Sequence, residues 1–365
     1  MTNKIRVCGA FLLAALWLFI TCVAWLAPQK DMSVAERRPL EKMPEITMDS
    51  ILEGDFMSDF ESYTLDQFPA RDSFRTLKSL VHKSVLQQMD NNGIYIADGY
   101  AAEMEYPLVN GSVEHALSQI RYIYDNYLKD TGSKVYAGVV PDKSYYLAKD
   151  NGYLSLDYEK LFRDVQEGMP FAQHIDITDC LTLEDYYRTD THWRQERILK
   201  VAQRIAQAMG VSVPAAESFT PTKIEKPFYG VYYGQAALPM EADELYVMNS
   251  QLLKDCKVFN YEKNTYTEVY DMEKLNGYDL YDVFLSGAQS MLRIENPNAT
   301  TDRELMVFRD SFSSSLIPLL VQDYATVTLV DIRYVKAPML GRFLEFNGQD
   351  VLFLYSALVL NKNLI

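Results

Sequence analysis

Two short stretches carry the residue types that acyl transfer requires. In Leu305–Leu320 (LMVFRDSFSSSLIPLL) an apolar run meets Arg309, Asp310, Ser311 and a Ser-rich turn, then a second apolar stretch of helical character. Ser311 falls where a strand gives way to a helix. A hydroxyl there sits beside backbone N–H groups without intrahelical partners, and a nucleophile next to donors that can hold an oxyanion is what acyl transfer needs. A helix N-cap is the plain alternative for such a serine. The second stretch, Tyr186–Arg194 (YYRTDTHWR), sets Asp190 and His192 two residues apart. In an extended segment both side chains point the same way, so a carboxylate could hold an imidazole that takes a proton from a serine hydroxyl. A loop His in a surface ion pair, with Trp193 in the core, is the competing reading. The other three histidines, His82, His115 and His174, have no such neighbours.

The elements around these stretches read as α/β. Helical patterns are expected at Val113–Leu128, Tyr158–Met169 and Trp193–Met209. Strands are expected at Lys134–Val140, Phe171–Ile177, Asp282–Leu285, Leu305–Phe308, Ala325–Val330 and Asp350–Leu354. Strands alternating with helices predict a largely parallel sheet covered on both faces. On such sheets active residues lie beyond the carboxyl ends of the strands, where Ser311 and the Asp190–His192 segment both fall. Residues 216–280 break the rhythm: Phe228–Gln235 (FYGVYYGQ) is aromatic and Lys257–Met272 reads as a hairpin. This β-rich insertion is either a substrate wall, with Tyr233 as a candidate contact, or an antiparallel extension of the sheet.

Residues 8–27 (CGAFLLAALWLFITCVAWLA) are mostly apolar and uncharged, long enough to span a bilayer. Lys4 and Arg6 precede them, which predicts an inside N-terminus and an extracytoplasmic remainder. The length and the lack of a small-x-small cleavage site favour a signal anchor over a cleaved signal peptide. Residues 28–111 read as a stalk and N-terminal helical segment, with helices expected over Asp49–Phe68 and Asp72–Met89 and a hairpin at Ile94–Tyr106; residues 112–365 read as the α/β domain. With 365 residues, 48% of them hydrophobic, the chain can build a real core. The formal charge of −15 becomes −17 beyond the first 27 residues, because Lys4 and Arg6 are the only charges before that point. That balance argues against nucleic-acid binding and against docking on anionic lipid. Cys180 and Cys256 lie outside the apolar run and could pair, although no spacing requires it. No metal or cofactor motif is present.

Taken in order, several stretches resemble the DHHW family, membrane-anchored bacterial proteins related to the SGNH-like proteins of alginate O-acetylation. They are ERRPLEKMP (Glu36–Pro44), GDFMSDFESYTLDQFPARDSF (Gly54–Phe74), PDK at Pro141–Lys143, YYRTDTHW, FYG at Phe228–Gly230, FLSG at Phe284–Gly287, and RDSF…IPLL…VDIRY through Tyr334. The resemblance implies an SGNH-hydrolase-like three-layer α/β/α fold and a catalytic set of Ser311, His192 and Asp190. The name-giving Asp-His-His-Trp is Asp190-Thr191-His192-Trp193 here. Two further departures concern the oxyanion hole: Ala288 and Ser314 stand where the family tends to have Asn. Candidate donors are then Ser311, Gly287, Gln289 and Ser314. Candidate substrate contacts are Trp193, Lys143, Tyr233 and Arg333, with an internal ion pair as the alternative for Lys143 and Arg333.

The implied function is O-acetyl transfer to a cell-surface or secreted polysaccharide, with a membrane-bound O-acyltransferase as donor. A carbohydrate O-acetylesterase with the same three residues, and a non-catalytic glycan-binding or scaffold protein, are the alternatives.

Overall fold

The computed structural model describes residues 2–212 and 215–365, with the side chains of residues 2–4, Lys4 among them, left outside that description. The chain divides into two compact units, Met1–Asn91 with Tyr233–Pro239, and Asn92–Tyr232 with Met240–Ile365.

The first unit is helical. Helix α1 (Thr2–Leu26) contains the stretch Ile5–Leu26, long and apolar enough to cross a membrane. A two-residue pairing of β1 (Met32–Ser33) with β2 (Arg38–Pro39) follows. The single helix expected over Asp49–Phe68 is two: α2 (Met48–Glu53) and α3 (Asp55–Asp66). They part at Gly54, whose φ of +87° ends one helix in the left-handed region that glycine adopts freely. Helix α4 (Arg71–Ser84) stops short of the expected Met89. Arg38 and Arg71 converge on the buried Asp66 carboxylate, and Arg38 holds its carboxyl below the usual carboxylate range.

The second unit opens with the expected hairpin, β3 (Ile94–Ala97) and β4 (Tyr100–Glu103). The main sheet takes β5 (Val135–Val140) and β6 (Gln173–His174). After the separate antiparallel pair β7 (Thr220–Lys223) and β8 (Tyr246–Asn249), it is completed by β9 (Lys257–Asn260), β10 (Thr265–Thr267), β11 (Met291–Glu295), β12 (Glu304–Arg309), β13 (Thr326–Val330) and β14 (Asp350–Ser356). Its order is β10-β9-β11-β13-β12-β14-β5-β6. Strands β13, β12, β14, β5 and β6 run parallel, and β11, β9 and β10 extend one edge antiparallel. Part of the 216–280 insertion is thus an extension of the sheet. The period of two in each strand divides the core. Leu305, Val307, Leu352 and Leu354 face one cluster, shared with α8 (Leu199–Met209). Met306, Phe308, Val351 and Phe353 face the other, shared with α5 (Asn110–Ile123), α7 (Tyr158–Gly168) and α12 (Ala357–Asn361). Helices therefore cover both faces of a mostly parallel sheet, the three-layer α/β/α arrangement, with the short helices α6 (Lys143–Leu147), α9 (Val231–Ala236) and α10 (Gln251–Asp255) in the intervening chain.

Three expectations need correction. Asp282–Leu285 is no strand: Leu280–Val283 is a 3-10 turn capped by Asp279, and Leu285 and Ser286 take positive φ. The helix expected from Trp193 begins at Leu199, because Trp193 pairs in a bridge with Tyr186 and Gln195–Arg197 is 3-10. The strand expected over Phe171–Ile177 shrinks to two residues. Cys180 and Cys256 are free thiols, the second buried.

Candidate active site

Strand β12 ends at Arg309, and α11 (Phe312–Leu316) begins three residues later, so Ser311 sits in the strand-to-helix turn. Asp310 fixes that turn. Fully buried, it accepts from Phe312 N at 3.1 Å and from Ser356 N, at the carboxyl end of β14, at 2.7 Å. Its two oxygens tie the Ser311 turn to the neighbouring strand end.

The Asp190–His192 loop reaches Ser311 by a different local geometry from the extended one expected. The loop is a tight bend closed by Tyr187 N donating to His192 O at 3.1 Å, beyond the Tyr186–Trp193 bridge. Within it Asp190 Oδ1 accepts from His192 N at 3.1 Å and from the His192 Nδ1–H at 2.6 Å. The aspartate turns back on its own chain, which is common for Asx residues in bends. His192 Nε2 then lies 2.7 Å from Ser311 Oγ. Asp190, His192 and Ser311 thus form one hydrogen-bonded line from a fully buried carboxylate to a partly exposed hydroxyl.

The loop is held from three sides. Asp243 accepts from Arg188 N and Thr189 N, each at 2.8 Å, and from Thr189 Oγ1 at 2.5 Å. Gly230 N donates to Thr189 Oγ1 at 2.9 Å, and Val231 N to Asp190 Oδ2 at 3.0 Å. Beneath the loop, buried Lys143 donates from Nζ to Tyr187 O at 2.9 Å and sits 5.0 Å from the Tyr232 ring. Burial pushes its ammonium down to about 7, against the opposing charges of Asp190, Asp243 and Asp142.

His192 is also held by stacking. The Tyr281 ring lies on the imidazole with centroids 3.8 Å apart and planes at 8°. The Tyr281 hydroxyl is 2.8 Å from Ser315 Oγ on α11. Trp193 Nε1 donates to Ser315 Oγ at 3.0 Å and to Phe312 O at 3.1 Å, and Gln195 Nε2 donates to Ser315 O at 2.8 Å. The histidine loop and α11 are therefore clamped through Ser315.

The other expected site residues fall as follows. Trp193 and Lys143 are wholly buried with internal partners, so in this structure they brace the loop instead of facing a substrate. Arg333 is held by Asp331, Nη2 to Oδ2 at 2.6 Å and Nε to Oδ1 at 2.8 Å, the internal ion pair. Tyr233 belongs to the first compact unit. Among the oxyanion candidates, Gly287 N donates to Phe284 O at 3.1 Å. Gln289 donates to Ser286 O and accepts from Asn260 Nδ2, and Ser314 Oγ accepts from Arg309 at 3.0 Å. Their groups are committed elsewhere. Tyr281, Ser315, Asp243 and Gly230 were not singled out from the sequence; of these only Gly230, inside the FYG motif, carried a signal.

The family model described as DHHW protein matches residues 158–330. No curated protein sequence matches the chain. Among solved structures, a DHHW family protein from Eubacterium siraeum is similar with a TM-score of 0.59 at 17% identity, over 74% of this chain and 93% of that one. Bacillus cereus PatB1 with a sulfonyl adduct is similar with a TM-score of 0.58 at 16% identity, over 74% and 96%. The resemblance to the DHHW family and the SGNH-like fold are thereby shown.

Three outcomes are expected of this geometry. A Cβ on Gly230 would lie 2.2 Å from Asp190 Cβ and 2.4 Å from Asp190 N. Gly230→Ala should displace the carboxylate and lower the rate at which a sulfonyl fluoride modifies Ser311 by about 10²-fold, a loss typical of small misplacements at catalytic groups. Unchanged modification, followed by mass spectrometry, would refute this. Tyr281→Phe should keep the ring stack and most of that reactivity, whereas Tyr281→Leu should lose about tenfold or more as the imidazole becomes free to turn; equal effects would assign the role to the hydroxyl. For Lys143 the folded-state value of about 7 lies below the ordinary 10.5, so between them the unfolded chain binds a proton that the folded chain does not. Stability from this group therefore rises with pH through that window. The excess of the parent's urea midpoint over that of Lys143→Met should grow between pH 7 and pH ~9.5, and parallel pH profiles would show that Lys143 does not titrate there.

Proposed function

We propose that this protein is a membrane-anchored, extracytoplasmic O-acyltransferase that passes an acetyl group to a hydroxyl of a cell-surface or secreted polysaccharide. The observation that carries the reading is the hydrogen-bonded line Asp190–His192–Ser311, with Nδ1 engaged by the buried carboxylate at 2.6 Å and Nε2 facing the hydroxyl at 2.7 Å. With Nδ1 protonated and held by Asp190, Nε2 has its lone pair free to take the Ser311 proton. The oxygen then attacks the donor's acyl carbon and the carbonyl becomes an oxyanion. The Ser311 N–H has no hydrogen-bond partner among the described residues and is placed at a helix start, where such a donor serves an oxyanion. Collapse expels the leaving group, which takes the proton from His192, and leaves an ester on Ser311. In the second half His192 takes the proton of a sugar hydroxyl as that oxygen attacks the ester, and returns it to Ser311.

In this reading α1 is the anchor, keeping the catalytic unit beside a membrane-bound O-acyltransferase that supplies the acetyl group. Water in place of the sugar would make the same site an esterase. A non-catalytic glycan-binding reading draws its support from the engagement of Gly287 N, Gln289 and Ser314 elsewhere, since each lost oxyanion donor costs about 10²–10³ in rate.

PatB1 carries a sulfonyl adduct, and the matching expectation here is a covalent adduct on Ser311. Full-length protein in detergent, treated with p-nitrophenyl acetate, should gain one acetyl group on Ser311, whereas Ser311→Ala and His192→Ala should gain none. Transfer of that group to an added oligosaccharide in preference to water separates transferase from esterase. A folded parent that takes neither acetyl nor sulfonyl groups, yet binds glycan unchanged after Ser311→Ala, would replace catalysis by binding.

A further inference from the structure

Helix α4 is built with its polar side inward. Ser79 is buried; its Oγ donates to Arg75 O at 2.9 Å and accepts from Asn91 Nδ2 at 2.8 Å. Arg75 donates from Nη2 to Gly234 O at 2.8 Å and pairs with Glu36 at 3.2 Å, all within the first compact unit. The apolar residues look outward. Phe74, Leu77, Leu80 and Val81 are 40–56% exposed, and Val85 in the next turn is 70% exposed. Residues 74, 77, 81 and 85 follow helical spacing, so they form one continuous stripe. A water-facing stripe of that kind on a helix with a polar buried face signals a surface that something covers.

We infer that the apolar stripe of α4 lies in the outer interface of the lipid bilayer, beside the exit of α1. The inference rests on the anchor reading of α1 given above. The first support is continuity: the chain leaving α1 is bonded to the end of α3. Lys30 N donates to Gln67 Oε1 at 2.9 Å, Gln67 Nε2 donates to Lys30 O at 2.9 Å, and Gln29 Nε2 donates to Tyr63 Oη at 3.0 Å. Helix α4 starts four residues after Gln67, so it begins at the level where α1 leaves the hydrocarbon. Trp25 of α1 and Tyr63 of α3 line one crevice there, the aromatic types favoured at headgroup depth.

The second support is charge. The exposed charges within α4 are Lys78 and Lys83 against Asp72 alone. Basic side chains beside an apolar stripe suit lipid phosphates, whereas a second copy packed face to face would bring lysine against lysine. The net −17 beyond the apolar run governs the approach of the whole protein to a surface, but here the anchor has already made that approach and the local basic helix decides the contact.

The test uses full-length protein with Cys8, Cys22, Cys180 and Cys256 replaced by Ala. Single labelling sites are Leu77→Cys, Val81→Cys, Leu13→Cys within α1, and exposed Glu159→Cys as the aqueous reference. Each variant carries an environment-sensitive fluorophore and is reconstituted in vesicles of phosphatidylcholine and phosphatidylglycerol with a doxyl-labelled lipid. Labels at 77 and 81 should be blue-shifted and quenched several-fold more than at 159, and Phe74→Asp introduced beside them should reverse this. Quenching at 13 with none at 77 and 81 overturns the inference while leaving the anchor intact. Absence of quenching at 13 overturns the anchor reading, and the inference with it. Shielding at 77 and 81 without lipid quenching, dependent on protein concentration, would assign the stripe to a second copy and equally overturn it.

Discussion

The buried carboxylate of Asp190 is the constraint on which the site depends. A lone ionised carboxylate in the interior would be strongly disfavoured. Here it receives His192 N and the His192 Nδ1–H on one oxygen and Val231 N on the other. Meeting those demands fixes the bend at 190–192, the approach of the 228–231 segment and the facing of the imidazole toward Ser311. The close fit of Gly230 against the Asp190 backbone follows from the same requirement, since only a residue without a Cβ lets the two chains approach. Lys143 balances the arrangement from below, a cation whose value is pushed down by burial and held up by Asp190, Asp243 and Asp142. Lysine in that position serves the loop backbone, through Tyr187 O, as much as the charge.

The two halves of the site, His192 and Ser311, lie 119 residues apart in the chain, and Ser315 bonds the segments that carry them. Ser315 is fully buried, and its hydroxyl meets both Trp193 Nε1 and Tyr281 Oη. Trp193 belongs to the histidine loop, while Tyr281 covers His192. One hydroxyl on α11 thus meets both the histidine loop and the ring that stacks on His192. Asp310 does the corresponding work toward the sheet by tying the Ser311 turn to Ser356 at the end of β14. Rigid support of this kind from packed elements is what holds a hydrogen-bonded line within about 0.5 Å of one geometry.

What the sequence disclosed about this site follows from the range of the forces involved. Ser311 was legible because a strand-to-helix turn is a local pattern. Asp190 and His192 were legible as a pair because their spacing is local too, although the bend that joins them was read as extended backbone. The strands β12, β13 and β14 showed as apolar runs because both of their faces are buried. Tyr281 was hidden: its stack on His192 spans 89 residues and leaves no trace in composition or period. For Trp193 and Lys143 the sequence left a substrate contact and an internal role both open, and the structure gives them internal partners. Local pattern gives no sign of which way such side chains point, and the contacts of Trp193 with Ser315 and of Lys143 with Tyr187 O decide it.

Local strain lies in the segment that supplies Tyr281. Leu285, Ser286 and Gly287 follow one another at φ of +53°, +60° and +79°, a left-handed run that costs about 1–3 kcal/mol for each non-glycine member. The surrounding bonds over-determine it. Leu285 N donates to Val269 O at 3.1 Å, Ser286 Oγ to Asp271 Oδ2 at 2.7 Å, and Gln289 Nε2 to Ser286 O at 3.0 Å. Gly287 is pressed so closely on Asp282 that a Cβ would lie 2.1 Å from Oδ1. These attachments explain why Gln289 cannot turn its amide elsewhere, since releasing it would free the carbonyl of a strained residue. The engagement of Gln289 thus belongs to the strained turn that follows Tyr281. A chain that uses its polar groups to pin the turn after Tyr281 steadies the ring that stacks on His192, and keeps the Gln289 amide on Ser286 O and Asn260 Nδ2.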